Sequence, residues 1–328
     1  MNRRHALRAL LATLCASSGA WPLSAHAQQR VPRVSLVTGT PEASQAQNVK
    51  FFLEGMKDLG YVEGSNFVFE RHFGNSSRER TQQLAVEAVA GKPDVILGQG
   101  FGGHFIAKLT KTIPLIAIYS GDMVEAGIAN SLAHPGGNVS GIQLMMLDLV
   151  GKRIEVLKEC APRIKRLAVI ASPTHPGVHS ERDVSITAAK QLGIGVTYYP
   201  VDDLTQLDAA LITAQSKGAD SLVVFPDGVT FGGAERIAAF ALKHKMPMVS
   251  GWDHFALVGG LVSYGPNLRA TWRRGASYVV KVLKGTDPGT IPVELPTIFE
   301  LVVNLKTARA LKLKIPQSVL LRADRVIE

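Results

Sequence analysis

Cysteine is almost absent from this chain: two occur in 328 residues, Cys15 and Cys160. Cys15 falls in an N-terminal segment with the marks of a removable export signal, which would leave Cys160 alone. An internal disulfide is then excluded, and stability has to come from burial. The 46% of hydrophobic residues is enough for one large or two medium cores. Long apolar runs are also lacking, so no segment reads as a membrane span. The net charge of +9 invites a nucleic-acid reading. Its lysines and arginines are scattered beside acids, however, with no dense basic run and no aromatic-basic interleaving, so they read as a solvated surface. Catalytic signatures are missing too. There is no G-x-S-x-G elbow, no H-E-x-x-H and no G-x-x-x-x-G-K-[ST] loop. His175 and His179 have a spacing compatible with a metal, but HPGVH is a loop with no completing acid or cysteine pattern, and a surface loop is the expectation.

Residues 1–27 carry Arg3, Arg4 and Arg8 with no acid, an apolar run from Ala9 to Ala16, and Ala25-His26-Ala27 before Gln28. This is the pattern of a signal peptide with an A-x-A cleavage site, and it predicts a periplasmic product. The paired arginines leave twin-arginine export open beside the general route.

Beyond the signal, apolar β-rich runs alternate with helix-period segments. They lie near 33–38, 66–73, 94–98, 115–119 and 139–143, and again near 166–171, 195–201, 220–225, 247–250 and 261–264. This alternation predicts an α/β protein made of two doubly wound, mainly parallel-sheet units. Core-facing stripes are expected at Val49, Phe52, Leu53, Met56 and Leu59, along Asp148 to Leu157, and at Leu268, Trp272, Val279 and Leu283. In open α/β sheets ligands sit beyond the carboxyl ends of the strands, so the strand-end loops should line a cleft.

One strand-end loop carries a fingerprint of its own. In DVILGQGFGGHFIAKLT (94–110), Gly98, Gly100 and Gly103 fit G-x-G-x-x-G, and Asp122 follows at roughly the distance of a ribose ligand. The corresponding function is an NAD(P)-dependent oxidoreductase, here one exported folded. Against it, GQGFGG follows the third strand of its unit, whereas the fingerprint normally follows the first, and reduced nicotinamides are not freely available outside the cytoplasm. The other reading is a cleft wall, where glycines let a ligand approach the N–H groups of a helix start.

The runs FLEGMKDLGYVEGSNFVFE (52–70), NSLAHPGGNVSGIQ (130–143), GKRIEVLKECAPRIKRLAVI (151–170), GGLVSYGPNL (259–268) and FELVVNLKTARALKLKIPQSVLLRADRVIE (299–328) resemble the ABC-transporter substrate-binding proteins of the tryptophan/tyrosine-transport type. The resemblance spans the chain beyond its signal. It implies the type I periplasmic binding protein fold, two lobes joined by a hinge. Lobe one would comprise 28–145 plus about 266–290, and lobe two 146–265 plus about 291–328. It implies a non-enzymatic, monomeric receptor without a cofactor, a metal or stable membrane insertion. Such a receptor would take a small molecule, an amino acid or related carboxylate and possibly an aromatic one, to an inner-membrane ABC permease. The strand-end candidates are Thr38, Gln99, Gly100, Phe101, Ser120 and Asp122 from lobe one, with Thr174, Asp227, Ser250, Trp252 and Tyr264 from lobe two. Hydroxyls and glycine amides suit a carboxylate, an aspartate suits an ammonium, and the three aromatics can stack on an apolar body. A sensor ectodomain or cytoplasmic regulator is the third class, disfavoured because no membrane span or helix-turn-helix precedes the lobes.

Overall fold

The computed structural model describes residues 30–328; the expected signal, 1–27, lies outside the described residues. The first sheet is built from β1 (Arg33–Thr38), β2 (Val68–Phe73), β3 (Val95–Gln99), β4 (Leu115–Tyr119) and β5 (Val139–Gln143), in the order β2-β1-β3-β4-β5 with every pair parallel. Strands β1, β3 and β4 are buried on both faces along nearly all their length, which is why they read as unbroken apolar runs. Helices α1 (Glu42–Asp58), α2 (Arg78–Ala90) and α3 (Phe101–Leu109) connect the first strands. Phe52 and Met56 of α1 cover one face of the sheet, and Ala85, Phe105 and Ile106 cover the other.

The second sheet has seven strands in the order β12-β11-β10-β9-β8-β6-β7. After α4 (Val150–Cys160) come β6 (Arg166–Ala171), α5 (Val178–Gln191), β7 (Gly195–Pro200), α6 (Leu207–Ser216) and β8 (Ser221–Val224). Then follow α7 (Gly228–Gly232), α8 (Ala234–Lys243), β9 (Met248–Ser250), α9 (Asp253–Leu257) and β10 (Val262–Pro266). The helix α10 (Leu268–Leu283) precedes β11 (Phe299–Asn304), α11 (Leu305–Ala310), α12 (Gln317–Leu320) and β12 (Arg325–Ile327). Strand β11 pairs with β10 antiparallel, the one antiparallel pairing among the described strands. Both β11 and β12 lie in a tail where the run pattern marked no strand.

The chain passes between the sheets three times: after β5, after β10, and in the approach to β11. The helix α10 lies along α1, where a Cβ on Gly55 would stand 2.9 Å from Ala276 Cβ and from Arg273 Cα. The backbone at 291–294 runs beside β5, with Glu294 N–H donating to Gly141 O at 3.0 Å and Gln143 N–H to Glu294 O at 3.0 Å. The fully buried Arg153 of α4 joins two of these passages, donating to Tyr264 O (2.8 Å) and to Met146 O (3.0 Å).

The lobes meet directly. Ser76 Oγ donates to Gly228 O at 2.7 Å. A Cβ on Gly228 would stand 3.0 Å from the Gly39 carbonyl, and one on Gly121 would stand 3.0 Å from Pro176. These glycines allow backbone to approach backbone.

Candidate functional site

The carboxyl ends of β1, β3 and β4 face those of β6, β8 and β9 across a narrow cavity of about 20 Å³. Seven of the sequence candidates, Thr38, Gln99, Gly100, Phe101, Ser120, Asp227 and Trp252, line it. The first lobe's wall is organised around Thr38. Its hydroxyl lies 2.9 Å from Gln99 Oε1 and 3.1 Å from Thr40 Oγ1. With its carbonyl fixed by Thr38, Gln99 keeps its amide N–H₂ as a donor. Gly100, at φ +52° and ψ −121°, opens α3 with no side chain to cap it, so the first-turn N–H groups of α3 lack a capping partner.

The neighbouring glycines answer the question raised by GQGFGG. A Cβ on Gly98 would sit 2.5 Å from Gly103 Cα, and one on Gly102 would sit 2.2 Å from Val37 O. They allow α3 to lie directly on β1 and β3. This packing gives Gly98 and Gly103 a structural reason and Gly100 is held by its positive φ, so the motif needs no nucleotide to explain it.

The second lobe's wall is charged and buried. Asp227 caps α7: Oδ1 accepts from Val229 N–H (2.7 Å) and Thr230 N–H (2.9 Å), while Oδ2 accepts from Ser172 N–H at 3.0 Å. Burial pushes its pKa up, against the lowering effect of His175 and the three N–H groups. Its carboxylate is therefore occupied by its own lobe. His175, expected in a surface loop, is instead 2% exposed, while His179 is exposed as expected. The loop folds back so that His175 Nε2 meets Glu181 Oε1 of α5 at 2.7 Å, beside the Phe225 ring. Burial opposes charge on this ring, but Glu181, by its charge and its hydrogen bond, and then Asp227, raise the pKa of His175 above its ordinary value. Arg153 lies close enough to Glu181 to feel its charge, and burial lowers its pKa to about 10, still cationic at neutral pH.

Trp252 is 3% exposed and meets Phe231 edge to face, with centroids 5.0 Å apart. The remaining candidates lie elsewhere. Asp122 is exposed and lines an adjoining recess of about 270 Å³ with Tyr119, His175 and His179. Its Oδ1 caps a turn through Val124 N–H (2.7 Å) and Glu125 N–H (2.9 Å). Thr174 lines a smaller recess beside Ser76 and Gly228, with its hydroxyl 2.8 Å from that of Ser172. Ser250 is buried and donates to Val224 O at 2.8 Å. Tyr264 contributes its carbonyl to Arg153, and its ring packs on the second lobe's core. Sequence reasoning weighed His175 as a metal ligand and did not single out Glu181 or Arg153. The usable signal was a histidine one residue beyond Thr174, followed by a glutamate in the first turn of the next helix.

Comparison with known proteins agrees with this architecture. The family model described as ABC transporter substrate binding protein matches residues 36–327. A protein of Clostridioides difficile named tyrosine-binding protein is 26% identical over 282 residues, covering 86% of this chain and 80% of that one. A conserved domain protein from Vibrio cholerae superposes with a TM-score of 0.83 at 24% identity, over 90% of this chain and all of that one. An ABC domain from Streptococcus pneumonia in complex with L-Trp superposes at 0.82 and 22% identity, over 90% of this chain and 99% of that one. These structural likenesses establish the two-lobed, type I periplasmic binding protein fold. With the family model matched from the end of the first strand to the last, the chain belongs to the ABC transporter substrate-binding proteins.

Proposed function

We propose that this protein is the periplasmic receptor of an ABC importer, closing around an amino acid with an aromatic side chain and delivering it to an inner-membrane permease. The observation that carries this reading is the cavity between the strand ends, walled by the donors and Phe101 of one lobe and by Trp252 of the other. Gln99, the uncapped start of α3 and the hydroxyls of Thr38 and Ser120 suit a carboxylate. Phe101 and Trp252 supply apolar walls for a ring. The names of two relatives point the same way, one tyrosine-binding and one holding L-Trp.

The receptor reading is favoured over catalysis because the wall's carboxylate, Asp227, is spent on three backbone N–H groups and is not poised for proton transfer. Residues 1–27 serve as the export signal, and the mature receptor acts as a monomer. The lobe boundaries near 145, 265 and 290 belong to the same proposal, supported by the three passages between the sheets.

The test is thermal melting and calorimetry of the mature protein with the standard amino acids, a set of sugars, and NAD(H). Saturation at about 100 times the dissociation constant should add roughly 2.7 kcal/mol of stability. A clear shift with tryptophan, tyrosine or phenylalanine is expected. A shift with sugars alone, or micromolar binding of NADH, would overturn the proposal.

A further inference from the structure

Two buried nitrogens of the second lobe, His175 Nδ1 and Trp252 Nε1, have no hydrogen-bond partner, and both residues line the cavity between the lobes. Buried polar groups are normally satisfied, so an unsatisfied pair on one cavity wall marks where a ligand completes the network. The indole nitrogen decides what that ligand group must be. It can only donate, so it needs an acceptor. We propose that His175 and Trp252 are the second lobe's specificity residues, donating Nδ1–H and Nε1–H to the same ligand carboxylate that the first lobe's donors approach from across the cavity. This rests on the amino-acid reading above and deepens it by assigning the group that each residue recognises.

The surroundings of His175 set its protonation. Glu181 Oε1 at 2.7 Å accepts from Nε2, which fixes a proton on that nitrogen. A second proton, on Nδ1, makes the ring an imidazolium and turns Nδ1 from acceptor to donor. Burial opposes that charge, Glu181 and Asp227 together outweigh it, and Arg153 opposes it further. Across the adjoining recess His175 faces Tyr119, Asp122, Glu125 and His179. The carboxylates around the ring therefore support the donor form. A ligand carboxylate reaching Nδ1 would place the imidazolium between two carboxylates, an arrangement that holds both nitrogens as donors. A ligand ammonium would meet two N–H groups and be repelled.

The experiment is calorimetry of the mature protein with L-tryptophan and L-tyrosine against tryptamine and tyramine, which lack only the carboxylate. It is repeated on Trp252→Phe, which keeps a ring and removes the N–H, and on His175→Gln, with melting temperatures confirming that each variant folds. The amino acids should bind at least about tenfold tighter than the amines, since a charge-assisted bond is among the stronger ones. Each variant should weaken the amino acids by roughly tenfold and leave the amines within about twofold. Amino-acid affinity should fall as pH rises above neutrality in the parent but not in His175→Gln. Histidine-labelled parent protein gives a reading that needs no variant: L-tryptophan should produce a hydrogen-bonded Nδ1 proton signal, and tryptamine should not. Equal binding of amines and amino acids, or an unchanged Nδ1 signal in a tryptophan-saturated sample, would overturn this assignment and leave the receptor reading standing. If no amino acid binds the parent protein, both fall.

Discussion

Asp227 shows how a single residue can have the right position and another task. A strand-end aspartate facing a cleft was legible in the sequence as a candidate anchor. That its two oxygens are taken by Val229, Thr230 and Ser172 was not, because Ser172 lies 55 positions away and is brought in by the pairing of β6 with β8. Asparagine at this position keeps one accepting oxygen and turns an amide N–H₂ toward Ser172 N–H. Asp227→Asn should therefore destabilise the free protein by about 1–3 kcal/mol, measured by chemical denaturation. A loss of only a few tenths would mean that the cap tolerates either residue. His175 yields a pH prediction of definite sign. Its folded pKa is raised, so its stabilising contribution is complete below the unfolded value of about 6.5 and is lost as pH rises through the folded one. Half-buried His72, His104 and His254 are shifted downward by desolvation and act in the opposite direction. The informative quantity is the stability difference between the parent and His175→Gln, which should shrink from pH 6 to pH 9. Cys160 is buried, and desolvation pushes its thiol up to about 12, so thiol reagents should leave the folded protein unmodified.

Helices and strands were more legible than side-chain roles. The strands of the two sheet centres are short apolar runs closed by glycine, proline or aspartate, and one-dimensional pattern suffices to find them. The edge pair β11 and β12 escaped the pattern. FELVVN is followed at once by a helix, and β12 is three residues long with two of them exposed, so neither shows a clean alternation of its own. Tertiary pairing creates them, β11 on β10 and β12 on β11. The α3 segment gave the opposite lesson: its motif was visible, and its meaning depended on what lay beneath it. Because a Cβ at 102 would meet Val37 O at 2.2 Å, Gly102→Ala should force α3 away from β1. The expected cost is about 1–3 kcal/mol or more, with weaker ligand binding from the displaced helix start. Gly100→Ala meets no atom within 4 Å and is strained only by its positive φ, so the comparison separates crowding from backbone conformation.

At the scale of the whole molecule the sheets touch through few groups, and one of them is the Ser76 hydroxyl on Gly228 O. Its loop carries two consecutive non-glycine residues in the left-handed region, Asn75 at φ +51° and Ser76 at φ +64°. The bond stands apart from the proposed ligand contacts, so Ser76→Ala tests lobe closure alone. A net bond of about 1 kcal/mol changes the ratio of closed to open molecules roughly fivefold. Calorimetry should show up to that loss of affinity, with the preference among ligands unchanged. The apparent dissociation constant is the intrinsic one divided by the fraction of molecules ready to bind. A hydroxyl that never meets the solute thus sets the solute concentration at which the receptor is half full. Selection could tune that concentration to a habitat at position 76 while leaving intact the chemistry that tells one solute from another.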